Sequence, residues 1–380
     1  MKIYVIPATY NEKDNIEKFI TVLEEEVFPK IKNHEMHILV ADDFSPDGTG
    51  EIVKKLMEKY KNLGINQGER KGLGAAYLRT MDEAINKLGA DVVISIDADF
   101  QFDPHDLTRY IEKLDEGYDL VVQTRYSSGG SIPENWPVQR KLFSKVANLF
   151  VRTVFMKFYI HDWTGGFRAI KKEAFLAVQE EMHDFRGYIF QIAFLHRAVK
   201  AGFKVGEVPL HFSDRTLGNS KIAPLGYIFD VVKFVLVTRF MEVIKGPFGK
   251  FLMVGGFGFI INAVLYEVLV RSTHLPIALC NIIAAQFSIF SNYNFNNLWT
   301  FRKERAKTPL SYLFKMGQFY FSSNIGVILI QSGTIQLGDT LFGEELYRLY
   351  FLVGTGFLLI WNFTMYRFVI WRKKPVSTDK

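Results

Sequence analysis

A chain of 380 residues with 46 Lys and Arg against 40 Asp and Glu is long enough for two domains, each with its own core. The net charge of +6 suits nucleic acid, anionic lipid or phosphorylated substrates, but no stripe of alternating basic and aromatic residues supports nucleic acid, which is set aside as a partner. The single cysteine, Cys280, excludes an internal disulfide and a cysteine-based zinc site.

The start, "MKIYVIPATYNE", lacks the apolar core and cleavage site of a signal peptide and reads as the first strand of a cytoplasmic domain. Short runs rich in Val and Ile follow in "HILVADD", "DVVISIDAD" and "DLVVQTRY", separated by helical periodicity in "EKDNIEKFITVLEEEV" and "GAAYLRTMDEAINKLG". Strands alternating with helices predict an α/β domain, a mostly parallel sheet covered on both faces. Ligands of such sheets bind beyond the carboxyl ends of the strands, where Asp42, Asp43, Asp97, Asp99 and Arg125 fall.

The stretch "SIDADFQFDP" sets Asp97, Asp99, Gln101 and Asp103 two apart, on one side of an extended chain. Crowded carboxylates and an amide carbonyl are the hard donors that Mg2+ or Mn2+ takes, commonly shared with a substrate phosphate. Asp103, just before Pro104, is instead expected to cap a helix.

Residues 126–223 are less regular. A loop, "SSGGSIPENWP", precedes an amphipathic helix near 138–157; the turn "HDWTGGFRAI", a helix around 187–201, the strand "KVGEVPLHF" and the polar segment "SDRTLGNSKI" follow. Residues 224–246 are apolar but interrupted by Asp230, Lys233, Arg239, Glu242 and Lys245, which suits helices lying along a membrane surface. Four apolar spans are predicted near 251–271, 276–299, 312–336 and 347–371, each close to the roughly 20 residues a bilayer needs. The loop "FRKERAK" and the tail "WRKK" are basic while "GDTLFGEE" is acidic, so the amino-terminal domain and the tail are expected on the cytoplasmic side. The second span holds Asn281, Gln286, Ser288, Ser291, Asn292, Asn294, Asn296 and Asn297, whose polar groups should face other helices or a second copy of the chain, a homo-oligomer. "GGFGF" in the first span should let helices approach closely.

With "TYNE" (9–12), "ADDFSPDGT" (41–49), "KGLG" (71–74), "DADFQ" (97–101), "TRY" (124–126), "ENWPVQRKLFS" (134–144), "GGFRA" (165–169) and "EVPLHF" (207–212), the whole chain resembles the family 2 glycosyltransferases. It is similar in particular to the polyprenyl-phosphate (dolichyl-phosphate) mannose synthases with a C-terminal GtrA-like membrane domain. The resemblance implies a GT-A fold over 1–223, interface helices over 224–246 and an all-α, four-helix transmembrane domain over 247–380. It implies a sugar-nucleotide, GDP-mannose, held by Tyr10, Glu12, Asp43 and Ala98, with Asp42 the weaker of its pair, and a divalent metal held by Asp97, Asp99 and Gln101. Arg125, Arg140 and Ser144 resemble the group that grips a polyprenyl phosphate, and Arg215, Ser220 and Lys221 a loop that closes over the diphosphate. Asp99, Arg125 and Arg140 are the residues implied in catalysis. Pro7 stands one position away from the family's nucleotide contact and is not carried over.

A phosphate monoester is mostly dianionic at neutral pH and needs no general base, so His161, beside Asp162, is not required as one. In-line displacement would invert the anomeric carbon, giving a β-linked product. Two alternatives remain: UDP-glucose transfer to undecaprenyl phosphate, and a sugar-lipid translocator with a regulatory soluble domain.

Overall fold

The computed structural model describes residues 1–133, 136–185, 187, 189–211, 224–275 and 277–372. Seven strands form one sheet: β1 (Lys2–Thr9), β2 (Glu35–Asp42), β3 (Leu63–Gln67), β4 (Val92–Asp97), β5 (Leu120–Thr124), β6 (Arg168–Lys171) and β7 (Val205–Pro209). Their order is β3-β2-β1-β4-β6-β5-β7, with β6 antiparallel to both neighbours and every other pair parallel. A parallel pair cannot be closed by a tight turn, so helices carry the crossovers: α1 (Lys13–Val22), α2 (Thr49–Lys59), α3 (Leu73–Asp82) and α4 (Leu107–Asp115). Helices α5 (Val138–Phe155), α6 (Lys172–Leu176) and α7 (Ile189–Ala201) complete the layers.

Burial on both faces requires apolar residues at odd and even strand positions alike. Ile3 and Val5 of β1 join Ile38, Val40, Ile94 and Phe19 on one side, whereas Tyr4 and Ile6 join Leu39, Val93, Tyr77 and Phe194 on the other. The register fixes what meets at the far edge: Thr9 pairs with Asp42, and Ala8 with Asp97. The carboxyl ends of β1, β2 and β4 therefore converge on one spot.

Two compact units divide the chain, Met1–Leu236 and Val237–Lys380. The first takes in the start of α8 (Pro224–Lys245), because Val231 and Val235 are buried in its core and Phe234 packs edge-on against Phe185 at 5.2 Å. Further along α8, Leu236, Val237, Phe240 and Ile244 stay exposed.

In the second unit α9 (Pro247–Ser272) pairs with α10 (Ile277–Phe295), which runs on to Thr300. Helix α11 (Pro309–Ile325) passes through a wider turn at Gly326–Gln331 into α12 (Ser332–Phe342), and α13 (Tyr347–Met365) runs on to Ile370. Among the described residues three helices are long and apolar enough to cross a membrane, Pro247–Ser272, Pro309–Phe342 and Leu352–Ile370. Helix α10 is the fourth helical stretch, and its amides dilute its apolarity. Two of them reach other helices, Asn294 Oδ1 accepting from Tyr312 Oη (2.9 Å) and Asn297 Oδ1 from Trp371 Nε1 (3.0 Å), whereas Asn296 Nδ2 donates to the Asn292 carbonyl within its own helix (2.9 Å). Of the "GGFGF" glycines, Gly258 makes the close approach; a Cβ there would collide with the Asn292 side chain, and its carbonyl accepts from Ser288 Oγ (2.7 Å). Trp371 closes an aromatic cluster with Phe301, Tyr293, Phe319 and Tyr366.

The largest charged group sealed in the first unit is Arg168, 1% exposed, donating to the carbonyls of Gly165 (2.8 Å), Trp163 (2.9 Å) and Gln191. Replacing it with Met would strand three buried acceptors. At roughly 1–3 kcal/mol for each one, Arg168→Met should destabilise the first unit by at least about 3 kcal/mol, read as a drop in the midpoint of its thermal or denaturant unfolding.

Candidate active site

Each converging strand hands over to a residue in a costly conformation. Asn11 after β1, Phe44 after β2 and Phe100 after β4 have positive φ of 60°, 48° and 57°. Non-glycine residues held there cost on the order of 1–3 kcal/mol each, and such residues gather at functional sites. They turn the chain sharply enough to bring Tyr10, Glu12, Asp43, Asp97, Ala98 and Asp99 around one cavity of about 280 Å3.

Glu12 ends the turn by starting α1; its backbone N–H donates to Thr49 Oγ1 (3.0 Å), and its Oε2 accepts from Asn15 Nδ2 (2.8 Å). Tyr10 lies under the guanidinium of Arg70, 3.9 Å from the ring centroid. Asp43 faces the Nη1 and Nη2 groups of Arg79, each 3.3 Å away. Burial pushes the Asp43 carboxyl above the ordinary aspartate range, and Arg79 offsets this only in part. Asp97 Oδ1 accepts from Tyr77 Oη (3.2 Å), and Asp99 is 3% exposed.

Asp42 is not at this cavity. It is fully buried; Oδ1 accepts from Ser45 Oγ (2.5 Å) and Thr9 Oγ1 (3.2 Å), and Oδ2 from Gln67 Nε2 (3.0 Å). Those bonds tie β1, β2 and β3 together, a structural task. Gln101 lies beyond the cavity lining, its backbone N–H donating to Asp99 Oδ1 (3.1 Å). Asp103 caps as expected, accepting from the His105 backbone N–H (2.9 Å).

A second cavity, about 560 Å3, opens beyond β5 and is bordered by Arg125, Tyr126, Lys145, Arg152 and His161. Tyr126 Oη bonds Ser144 Oγ, and Ser144 lies one turn beyond Arg140 on α5. The Arg140 guanidinium sits 3.7 Å over the ring of buried Trp136. Arg125, Tyr126 and Ser144 are thus brought together. His161 is spent on Glu207, with Nδ1 2.7 Å from Oε2 and its backbone N–H on Oε1. The outer face of α5 shows Val138, Leu142, Val146 and Leu149 at helical spacing, all exposed. Arg215, Ser220 and Lys221 lie outside the described residues.

Arg70 was missed in the sequence because a lone arginine in "GERKGLG" reads as a solvated charge. Asp162, which holds Arg125, was passed over beside its histidine neighbour; only the turn "HDWTGG" signalled a constrained backbone.

Residues 4–178 match the glycosyl transferase family 2 model, and residues 250–371 that of the GtrA/DPMS transmembrane domain. A dolichol-phosphate mannosyltransferase of Pyrococcus furiosus is 31% identical over 331 residues, 87% of this chain and 88% of that protein. The chain belongs to the polyprenyl-phosphate mannose synthases of glycosyltransferase family 2. A polyprenol monophosphomannose synthase of Mycolicibacterium smegmatis is 37% identical over 221 residues, 58% of this glycosyltransferase and 80% of its own length. A glucosyl-3-phosphoglycerate synthase from Mycobacterium tuberculosis, solved with Mn2+, UDP and phosphoglyceric acid, is a more distant likeness. It is 18% identical with a TM-score of 0.46, covering 63% of this chain and 78% of that one. The glycosyltransferase is an enzyme with a GT-A-like domain followed by membrane helices.

If Asp43 meets the nucleoside, as the resemblance implies, burial of its carboxyl bears on donor binding. The carboxylate that a nucleoside could hydrogen-bond is lost at a higher pH than an ordinary aspartate would be. Sugar-nucleotide affinity, followed by calorimetry as pH is lowered, should fall early, and Asp43→Asn should both weaken binding at neutral pH and flatten that dependence.

Proposed function

We propose that the enzyme transfers mannose from GDP-mannose to a polyprenyl phosphate at the cytoplasmic membrane face, with inversion to a β-linked mannosyl-phosphate lipid. The observation that carries the reading is the pair of adjacent environments at the strand ends. An acidic cavity bordered by Asp43, Asp97 and Asp99 lies at β1, β2 and β4, and an arginine-bordered cavity lies at β5. The first suits a nucleoside diphosphate with a cation, the second a phosphate. The names of the two relatives support mannose and a polyprenol or dolichol acceptor.

Asp97 and Asp99 border the same cavity, two hard carboxylate donors of the kind that Mg2+ or Mn2+ takes, while Gln101 stands outside the lining. When bound, such an ion supplies positive charge against the departing diphosphate. The chain's own residues do the rest. Glu12, Tyr10 and Asp43 orient the nucleoside, with Ala98 leaving room against it. Arg125, Arg140 and Ser144 hold the acceptor phosphate so that one oxygen faces the anomeric carbon; arginine suits this through its planar, always-charged fork. The dianionic phosphate attacks without losing a proton, so the engagement of His161 with Glu207 costs the reaction nothing. The C–O bond to the nucleoside diphosphate breaks as the new bond forms on the opposite face.

The acceptor reaches the site from lipid. The apolar outer face of α5 and that of α8 suit contact with a membrane surface, and the basic loop 301–307 with the basic tail "WRKK" favours the cytoplasmic side.

Membranes holding the enzyme, given labelled GDP-mannose or UDP-glucose and polyprenyl phosphate, should yield labelled lipid from GDP-mannose alone. Labelling from UDP-glucose instead would establish the glucosyltransferase reading, and labelling from neither would sink both. Asp99→Ala should lower metal-dependent transfer by about 100-fold or more. Leu142→Glu, on the outer face of α5, should raise KM for a long-chain acceptor in vesicles while leaving a short, water-soluble prenyl phosphate unaffected.

A further inference from the structure

Arg125 follows directly on β5, in a loop without regular hydrogen bonding, where a long side chain would ordinarily sample several rotamers. Here it does not. Its Nε donates to Asp162 Oδ2 at 2.7 Å and its Nη2 to Asp162 Oδ1 at 3.0 Å, a side-on fork, while Nη2 also reaches Thr164 Oγ1 at 2.7 Å. The Arg125 backbone N–H adds a bond of 3.3 Å to Oδ2. Thr164 in turn donates to Asp162 Oδ1 through its hydroxyl (3.1 Å) and its backbone N–H (3.2 Å).

Asp162 has no accessible side-chain surface, and the Arg125 side chain is 9% exposed. Burial alone would raise the Asp162 carboxyl, but Arg125 and the backbone donors outweigh it and hold it below the usual carboxylate range. A buried pair of this kind contributes little net stability and a great deal of geometry. A fork made through Nε and Nη2 turns the Nη1 edge of the guanidinium away from the carboxylate, and Arg125 borders the 560 Å3 cavity.

We propose that Asp162, with Thr164, is the positioning residue of this enzyme's acceptor site. It fixes the plane of the Arg125 guanidinium so that the opposite edge meets the acceptor phosphate in the attacking orientation. The inference rests on the assignment of Arg125 to the acceptor. Asp162 touches neither substrate; it acts through Arg125.

An Asn at 162 keeps the size but presents an N–H2 group to one of two guanidinium donors, so the fork cannot form and the plane must turn. For the full-length enzyme in vesicles, Asp162→Asn should cut kcat/KM for polyprenyl phosphate by at least about tenfold. Sugar-nucleotide affinity, measured by calorimetry, should stay within about twofold, since the donor cavity lies at other strands. Thr164→Val should give a smaller loss of the same kind, and Asp162→Glu a partial recovery. The decisive comparison is with Arg125→Met. In that background Asp162→Asn should cost nothing further, because its effect runs through the missing arginine. A purely structural Asp162 would instead lower donor affinity in parallel, or its loss would multiply with that of Arg125→Met, and either result overturns the proposal. A wild-type enzyme that transfers no sugar to any lipid phosphate would sink the proposed function instead. Even then the Arg125 Nε–H, followed by NMR hydrogen exchange, should be protected in the wild type and exposed in Asp162→Asn; equal protection refutes the role of Asp162.

Discussion

Carboxylates repel one another most where water is scarce, and this fold gathers Glu12, Asp43, Asp97 and Asp99 around one small cavity at the end of a buried sheet. The convergence is a product of strand register: with Ala8 opposite Asp97 and Thr9 opposite Asp42, residues that follow β1, β2 and β4 cannot avoid each other. Part of the charge is answered within the chain. Arg79 lies against Asp43, and the Tyr77 hydroxyl donates to Asp97. Arg70 also borders the cavity, and the proposed reaction would add a divalent cation shared with a diphosphate.

The backbone bears a parallel cost. Asn11, Phe44 and Phe100 sit in the left-handed region directly after the three strands. Glycine would adopt that conformation freely, yet none of the three positions has it. The strain is sustained because the strands beneath are locked on both faces by buried apolar side chains. Arg125, at the end of β5, is held differently. Its rigidity comes from a side-chain fork to a residue 37 positions away in the chain, which would let the proposed acceptor side be set independently of the proposed donor side.

Much of this architecture could be read from residue pattern, and the failures have definite causes. Strands β1, β2, β4 and β5 announce themselves as Val- and Ile-rich runs because both faces are buried. Strands β3, "LGINQ", and β6, "RAIK", do not: one is a half-exposed edge strand, and the other is four residues long and carries a buried arginine whose apolar surroundings come from elsewhere in the chain. At the tips, period-2 alternation says that Asp42 and Asp43 must face opposite ways, but not which one faces the cavity; the bonds of Asp42 to Ser45, Thr9 and Gln67 decide it. Asp162 could not be distinguished from any other aspartate in a turn, since its role depends on a partner that only the folded sheet brings within reach. In the membrane unit the amides of α10 were legible as polar groups needing partners, whereas the identity of those partners, Tyr312 and Trp371, was not.

The two halves of the site also match the way charge moves in the proposed reaction. The acceptor begins as a phosphate monoester, mostly dianionic, and ends as a diester carrying a single charge. The donor's diphosphate gains the charge that the acceptor loses. Stabilisation that grows along the reaction is therefore needed on the donor side, where fixed carboxylates can hold a divalent ion against the leaving group. A strongly cationic acceptor pocket would favour the dianionic starting state over the transition state. Pairing Arg125 with buried, ionised Asp162 brings the local charge of that pair to zero while keeping the directional donors. Lys145 and Arg152 still border that cavity, so it is at Arg125 itself, not over the whole proposed pocket, that the phosphate would meet hydrogen-bond geometry more than net charge.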